Sequence, residues 1–242
     1  LDMRSLTEAM RGICLMNAVA MDRAGSLADE DARQAAEDLN ELLIPITKAW
    51  CTDMGVEVTS LAIQVYGGMG FVEETGVSQF FRDARIAPIY EGTNGIQAMD
   101  LVGRKLPMRS GGVVTDTIAD IRATAAALSA DDELAGIGAR LAEATDALDE
   151  ATQWIFGHAG EIRDVLAGAT PYLRMWGLVV GGWVLGKSAL AAAEWAADDG
   201  PADFCAEKVR TARWFADQHL STVVGLTARA TSGASLMDEA SL

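Results

Sequence analysis

Cysteine and histidine are scarce in this chain of 242 residues: three of one and two of the other. Cys14, Cys51 and Cys205 are widely spaced, no CxxC pair occurs, and His158 and His219 stand apart, so a zinc site and a disulfide framework are both excluded as organising features. A reducing, cytoplasmic setting is the default expectation. Positive charge is also in short supply. Lys and Arg total 19 against 35 Asp and Glu, for a net charge of −16, which argues against a nucleic-acid partner, because the phosphate backbone demands a basic surface. Long apolar runs are missing. The longest, Met175 to Gly186, falls short of the roughly 20 residues that a membrane-crossing helix needs. Aromatics make up only 6% of the chain; alanine is abundant instead, and that combination favours helix. The N-terminus shows no signal-peptide pattern. It enters a helical pattern directly at Leu1-Asp2-Met3-Arg4, which reads as a piece of a longer chain.

Apolar spacing near 3.6 dominates what is there. It predicts a helix over 3–24, with Leu6, Met10 and Ile13 inward. A second runs over about 30–53, kinked by Pro45 and broken at Gly55, with Leu42, Leu43, Ile46 and Trp50 buried. A shorter one follows over 56–65, burying Val58, Leu61, Ala62 and Val65. Gly67-Gly68-Met69-Gly70 is a tight turn. A short helix over 73–85 carries Phe80 and Phe81 on different faces and Arg82, Asp83 and Arg85 as a structural ion-pair cluster. Ile86, Ala87 and Ile89 around Pro88 read as a buried connection. Asn94 with Gln97 resembles a capping box opening a helix over 94–105, whose dipole suits Lys105 near its end.

Pro107 to Gly112 is the clearest linker, and the domain boundary is placed there. Beyond it the pattern predicts four helices, over 113–129, 132–157, 170–197 and 203–230, forming an antiparallel bundle. Asp131-Asp132 and Thr170-Pro171 read as helix starts, Asp198 to Pro201 as a stop, and the tail from Thr231 to Leu242 as prone to fray. Gly177, Gly181, Gly182 and Gly186 recur at near four-residue spacing, as if to admit a partner helix closely. His158 reads as a satisfied helix-end histidine.

Glu91 is the residue that points to chemistry. It stands in Ile89-Tyr90-Glu91-Gly92-Thr93-Asn94-Gly95, between apolar residues and a helix start. A carboxylate there is a candidate general base, since desolvation raises a carboxyl pKa towards the range where it can take a proton. Gly92 leaves room for another molecule to approach the backbone. A solvated glutamate before a helix is the competing reading from local residues alone.

Three motifs in one order shift the balance: Gln64-x-x-Gly67-Gly68-x-Gly70-Phe71, Phe81-Arg82-Asp83-Ala84-Arg85, and Ile89-Tyr90-Glu91-Gly92-Thr93-Asn94. Together they resemble the C-terminal signature of the acyl-CoA dehydrogenases. Asn94 to Ala98 and Asp100 to Leu106 resemble the branch that holds 3-methylmercaptopropionyl-CoA dehydrogenases, which carries an extra helical C-terminal domain. The resemblance implies an all-α fold: a C-terminal-type helical bundle over 1–107, followed by a second antiparallel bundle over 108–242. It implies FAD as cofactor, an acyl-CoA substrate, an electron-transfer flavoprotein or similar acceptor, and a homo-oligomer.

It also implies roles. Glu91 would abstract the α-proton, with Gly92 beside the substrate. Gln64, Val65, Tyr66, Gly67 and Gly68 would touch the flavin of a neighbouring subunit, and Thr93 and Gly95 would approach the flavin as well. Met69, Phe71 and Gly95 depart from residues common in the family. A non-catalytic helical interaction module derived from the family remains a second reading, and another flavin-dependent oxidation on the same scaffold a third.

Overall fold

The computed structural model describes residues 1–239, and among these no strand occurs. Eleven α-helices follow in order: α1 Asp2–Ser26, α2 Glu30–Val65, α3 Gly68–Phe71, α4 Val77–Ile86, α5 Asn94–Asp100, α6 Gly112–Ser129, α7 Ala135–Gly157, α8 Ile162–Ala197, α9 Ala202–Gln218, α10 Thr227–Ala230 and α11 Ser235–Glu239. The all-α expectation holds. Residues 240–242, the end of the tail expected to fray, lie outside the described residues.

The predicted break at Gly55 does not exist, and Pro45 does not split its helix. α2 runs unbroken for 36 residues, opened by Asp29, whose carboxylate accepts from the Ala32 N–H at 2.7 Å. A proline inside a helix costs about 3 kcal/mol, and a glycine about 1 kcal/mol. Against that, Leu42, Leu43, Ile46 and Trp50 around Pro45 are all buried to 1% exposure or less, and each such side chain contributes roughly 1.5–3 kcal/mol on burial. Tertiary burial therefore outweighs the local breakers. The same argument moves the start of α8. Thr170-Pro171 is not a helix start but lies inside a 36-residue helix that begins at Ile162, because Val165, Ala169, Tyr172 and Leu173 are buried on both sides of the proline.

α8 is the central helix. By length and composition it is apolar enough to cross a membrane, yet 78% of its most apolar stretch is buried inside the protein. Its glycines are sockets rather than points of backbone approach. A Cβ at Gly177 would stand 2.0 Å from Trp50 Cγ, one at Gly182 2.7 Å from Leu220, and one at Gly186 2.9 Å from Leu128. Large side chains from α2, from the turn after α9 and from α6 fill these sockets. Only Gly168 meets backbone, the Ala230 carbonyl of α10.

Residues 107–112 form no slack linker. A 3-10 turn, Met108–Gly111, has Arg109, Ser110 and Gly111 at φ 47°, 56° and 88° and leads straight into α6. The buried core is continuous across it, joining Leu6, Ile46, Trp50 and Leu101 to Ile121, Leu141 and Val179. Polar ties add to the join: Lys208 donates to Glu8 at 2.8 Å and Trp214 Nε1 to Asp2 at 2.7 Å.

Helix ends depart from the periodic reading for local reasons. The Asp131 carboxylate accepts from the N–H of Glu133 and Leu134, which makes a turn of 131–134 and delays α7 to Ala135. α9 stops at Gln218, and 3-10 turns carry the chain on to α10. The helix predicted over 94–105 becomes α5 and then one π-helical turn, Leu101–Lys105. Lys105 stands in the last turn as expected, and it is also buried, 4% exposed, and pairs with Glu41. His158 caps α7 as expected, with Nδ1 2.8 Å from the Trp154 carbonyl and its ring stacked on Trp154.

Candidate functional site

α2 organises both halves of the predicted site. Its last residues, Gln64 and Val65, are exposed and hand over to Tyr66 and the glycine turn. Each glycine there has its own cause. Gly67 stands at φ 59°, ψ −142°, a conformation that a side chain opposes. Gly70 packs against Ile63, whose carbonyl oxygen would be 2.2 Å from any Cβ. Gly68 faces open space, with nothing within 4 Å of its Cβ direction. Gly67 likewise has nothing within 4 Å of its Cβ direction, so of the three only Gly70 is closed off.

Around this turn the chain exposes an apolar face. Phe71 is 86% and Val65 76% exposed, and Tyr66, Met69, Phe80, Ile86, Ile89, Tyr90, Ile96 and Met99 are all exposed with them. Two expectations are corrected here. Val65 is not buried, and the connection at Ile86 and Ile89 is exposed, with only Pro88 inside. The apolar residues are present as read, but nothing among the described residues covers them. Arg82 pairs with Glu73 at 3.1 Å.

Glu91 lies in the loop between α4 and α5. It is exposed, so its expected desolvation is not provided by this chain. Its φ is 52°, and Gly92 follows at 86°. A non-glycine residue in the left-handed region stores roughly 1–3 kcal/mol of strain, of a kind that clusters at functional sites. Thr93, not Asn94, caps α5: its hydroxyl accepts from the Ile96 N–H at 3.3 Å. Gly95 follows in the first turn, 3.7 Å by its Cβ direction from the Thr93 hydroxyl.

Asn94 has another task. Its Oδ1 accepts from Lys48 Nζ at 2.7 Å, while its Nδ2 donates to Asp53 at 2.7 Å, to the Ala49 carbonyl at 3.0 Å and to the Thr52 hydroxyl at 3.0 Å. The loop is thereby pinned to the middle of α2. Sequence reading missed this clamp; its only trace is Lys48, Thr52 and Asp53 gathered within about one and a half helical turns.

The two clusters of predicted site residues attach to different parts of α2. Asn94 grips α2 at Asp53, and Gln64 lies eleven residues further on, about 16 Å away at the α-helical rise. A cleft of about 130 Å³ beside the clamp is lined by Trp50, Asp53, Asn94, Ala98, Arg174 and Arg229. A larger one, about 660 Å³, opens between α1, α2, α6 and α8 and contains no predicted site residue. Among the described residues, no three His, Cys, Asp or Glu side chains cluster to hold a metal.

Comparison with known proteins places this geometry. Residues 3–106 match the family model "Acyl-CoA dehydrogenase, C-terminal domain", and residues 117–240 match "Acetyl-CoA dehydrogenase C-terminal like". The chain belongs to the acyl-CoA dehydrogenase family and corresponds to its C-terminal portion. Within the family it is 45% identical over 223 residues to 3-methylmercaptopropionyl-CoA dehydrogenase of Ruegeria pomeroyi, covering 91% of this chain and 38% of the relative. It is 26% identical to the broad-specificity linear acyl-CoA dehydrogenase FadE5 of Mycobacterium tuberculosis, over 90% of this chain and 37% of that protein.

The fold is shared with two solved structures. One is an acyl-CoA dehydrogenase complexed with FAD from Bacillus anthracis, with a TM-score of 0.72 and 15% identity over 98% of this chain and 42% of that one. The other is Caenorhabditis elegans ACDH-11 in complex with C11-CoA, with a TM-score of 0.70 and 18% identity over 90% of this chain and 35% of that one. This chain thus spans well under half the length of these relatives.

Proposed function

We propose that the chain is the C-terminal part of an FAD-dependent acyl-CoA dehydrogenase and that Glu91 is its base. The observation that carries the reading is the Glu91 loop, strained at φ 52° and pinned to α2 through Asn94. A carboxylate so held, beside a glycine without a side chain, can stand against the α-carbon of a thioester and take its proton. FAD, when bound, supplies the acceptor for the β-hydride. The residues that fit it are the open backbone at Gly68, with Gln64 to Gly67 before it, and the Thr93–Gly95 turn, flanked by exposed apolar side chains. They supply only part of a site, so the remaining contacts belong to other segments or to another copy. Covering the apolar face also removes water from around Glu91. Acyl-CoA is the substrate, an electron-transfer flavoprotein or similar carrier the acceptor, and the assembly a homo-oligomer.

One observation favours a second reading, a non-catalytic interaction module: the Glu91 side chain is exposed and the described residues do not bury it. The test is Glu91→Gln in the enzyme that contains this chain. It keeps shape but not basicity. Flavin reduction by acyl-CoA, followed by rapid mixing, should slow by the roughly 10²–10⁴-fold typical of a lost general base, with flavin content and substrate binding retained. Near-normal reduction would remove Glu91 from the chemistry.

A further inference from the structure

Glu91 makes no side-chain hydrogen bond or ion pair among the described residues, so its carboxylate stands where its backbone puts it. Two anchors set that backbone. On one side the Ile89 and Tyr90 N–H groups bond the Ile86 carbonyl, and the Asn94 N–H closes the loop on the Pro88 carbonyl at 3.0 Å. On the other side is the Asn94 side chain, gripped by α2. α5 itself is anchored further on, where Ala98, Leu101 and Val102 are buried in the core, so the Asn94 side chain is what ties its first turn, next to the loop, to α2.

The grip has a polarity. The Lys48 ammonium faces the amide oxygen and the Asp53 carboxylate faces the amide nitrogen, each at 2.7 Å. Turning the amide over would set cation against N–H and carboxylate against oxygen, so the charges fix one orientation. An aspartate at 94 would keep Lys48 but face Asp53 with a like charge. A leucine would fill the space with no bond at all. The clamp joins groups 41 to 46 residues apart in the chain, so it acts on the loop from a rigid support rather than within it.

We propose that Lys48 and Asp53 are positioning residues: by holding the two ends of the Asn94 amide they fix the Glu91 loop, and with it the direction of the base. The proposal rests on the reading of Glu91 as the base. It sets the clamp apart from structural bonds elsewhere in the bundle, because its loss moves the reacting carboxylate and spares the core.

The test has two arms. In the enzyme that contains this chain, Lys48→Met and Asn94→Leu should slow flavin reduction about 10- to 100-fold, the effect of misplacing a reacting group by an ångström or less. KM for acyl-CoA should stay within about twofold, since a transition-state contact is lost and not uniform binding, and Lys48→Arg should restore most of the rate. In the 242-residue chain, the same two variants should speed hydrogen exchange of the 89–94 amides about tenfold or more while the α8 amides keep their protection. Full-rate reduction by both variants, beside a disabled Glu91→Gln, overturns the role in catalysis. Unchanged exchange at 89–94 overturns the clamp itself. Full-rate reduction by Glu91→Gln defeats the base and the catalytic role together, and the exchange arm then decides the clamp on its own.

Discussion

Trp50 occupies the space that a side chain at position 177 would need: an alanine Cβ there would stand 2.0 Å from Trp50 Cγ and 2.2 Å from Cδ1. Trp50 is 1% exposed and part of the continuous buried core, and its Cη2 also lies 3.4 Å from the Cβ direction of Gly181, so it has little room to retreat. Gly177→Ala should therefore destabilise by about 1–3 kcal/mol, as overpacking does. At this chain length that lowers Tm by roughly 2–4 °C per kcal/mol. Gly55 is the control, a glycine inside α2 with nothing within 4 Å of its Cβ direction. Gly55→Ala should stabilise by about 0.5–1 kcal/mol. Thermal melts of the pair decide it; equal shifts of one sign would refute the socket.

His219 couples stability to pH. Burial holds it below the usual histidine value of 6.5, and the Asp2 carboxylate, 3.4 Å from Nε2, opposes that effect without cancelling it. As pH falls, the unfolded chain takes up its proton first, near 6.5, and the folded chain later. Stability is therefore lost as pH drops through 6.5 towards the folded value. Urea midpoints measured at about pH 7.5 and about pH 5.5 should differ less in His219→Gln than in the parent. An undiminished difference would assign the pH dependence to other groups.

Cys14 should be the reactive thiol. Its pKa is pulled down to about 6 by the hydrogen bond from Cys51, against partial burial; Cys51 is pushed upward by the same contact and by burial, and Cys205 is buried. Iodoacetamide should label Cys14 first, with a rate that is already near its plateau at neutral pH. Replacing Cys51 by alanine should move that profile back towards an ordinary thiol. A profile indifferent to Cys51 would contradict the pairing.

The 242-residue chain alone should purify colourless. Part of a flavin site gives too few contacts to offset the entropy lost on binding. Stoichiometric visible flavin absorbance would show instead that the Gly68 and Thr93 segments suffice.

Helical content was legible because burial in this fold is one-sided on most helices, so Leu6, Ile13, Leu42 and Ile46 repeat at helical spacing and are all inside. Breaker rules failed at Gly55 and Pro171, where long-range packing exceeds a local penalty that sequence shows in isolation. Val65, Ile86 and Ile89 were read as buried because an apolar residue signals that something covers it, not that the cover lies in the same chain. The glycine turn and the Glu91 motif were visible as motifs. The Asn94 clamp was not, since Lys48 is 46 residues away and only the fold brings it near; Asn94 before Gln97 matches a cap signature that Thr93 fulfils instead.

The π-helical turn at Leu101–Lys105 has a bearing on how this chain tolerates change in length. Its Leu106 N–H reaches the Leu101 carbonyl at 2.9 Å, five residues back, so the turn holds one residue more than an α-helix would. Elsewhere in a helix, losing a residue swings everything downstream by about 100°, a consequence of 3.6 residues per turn. Here the surplus residue is already looped out of register, and exposed Gly103 lies within it. Shortening the chain at that point relaxes the turn to ordinary helix and leaves the direction of everything after Leu106 intact. A single-codon loss, ruinous in α2 or α8, is at this position the undoing of an insertion.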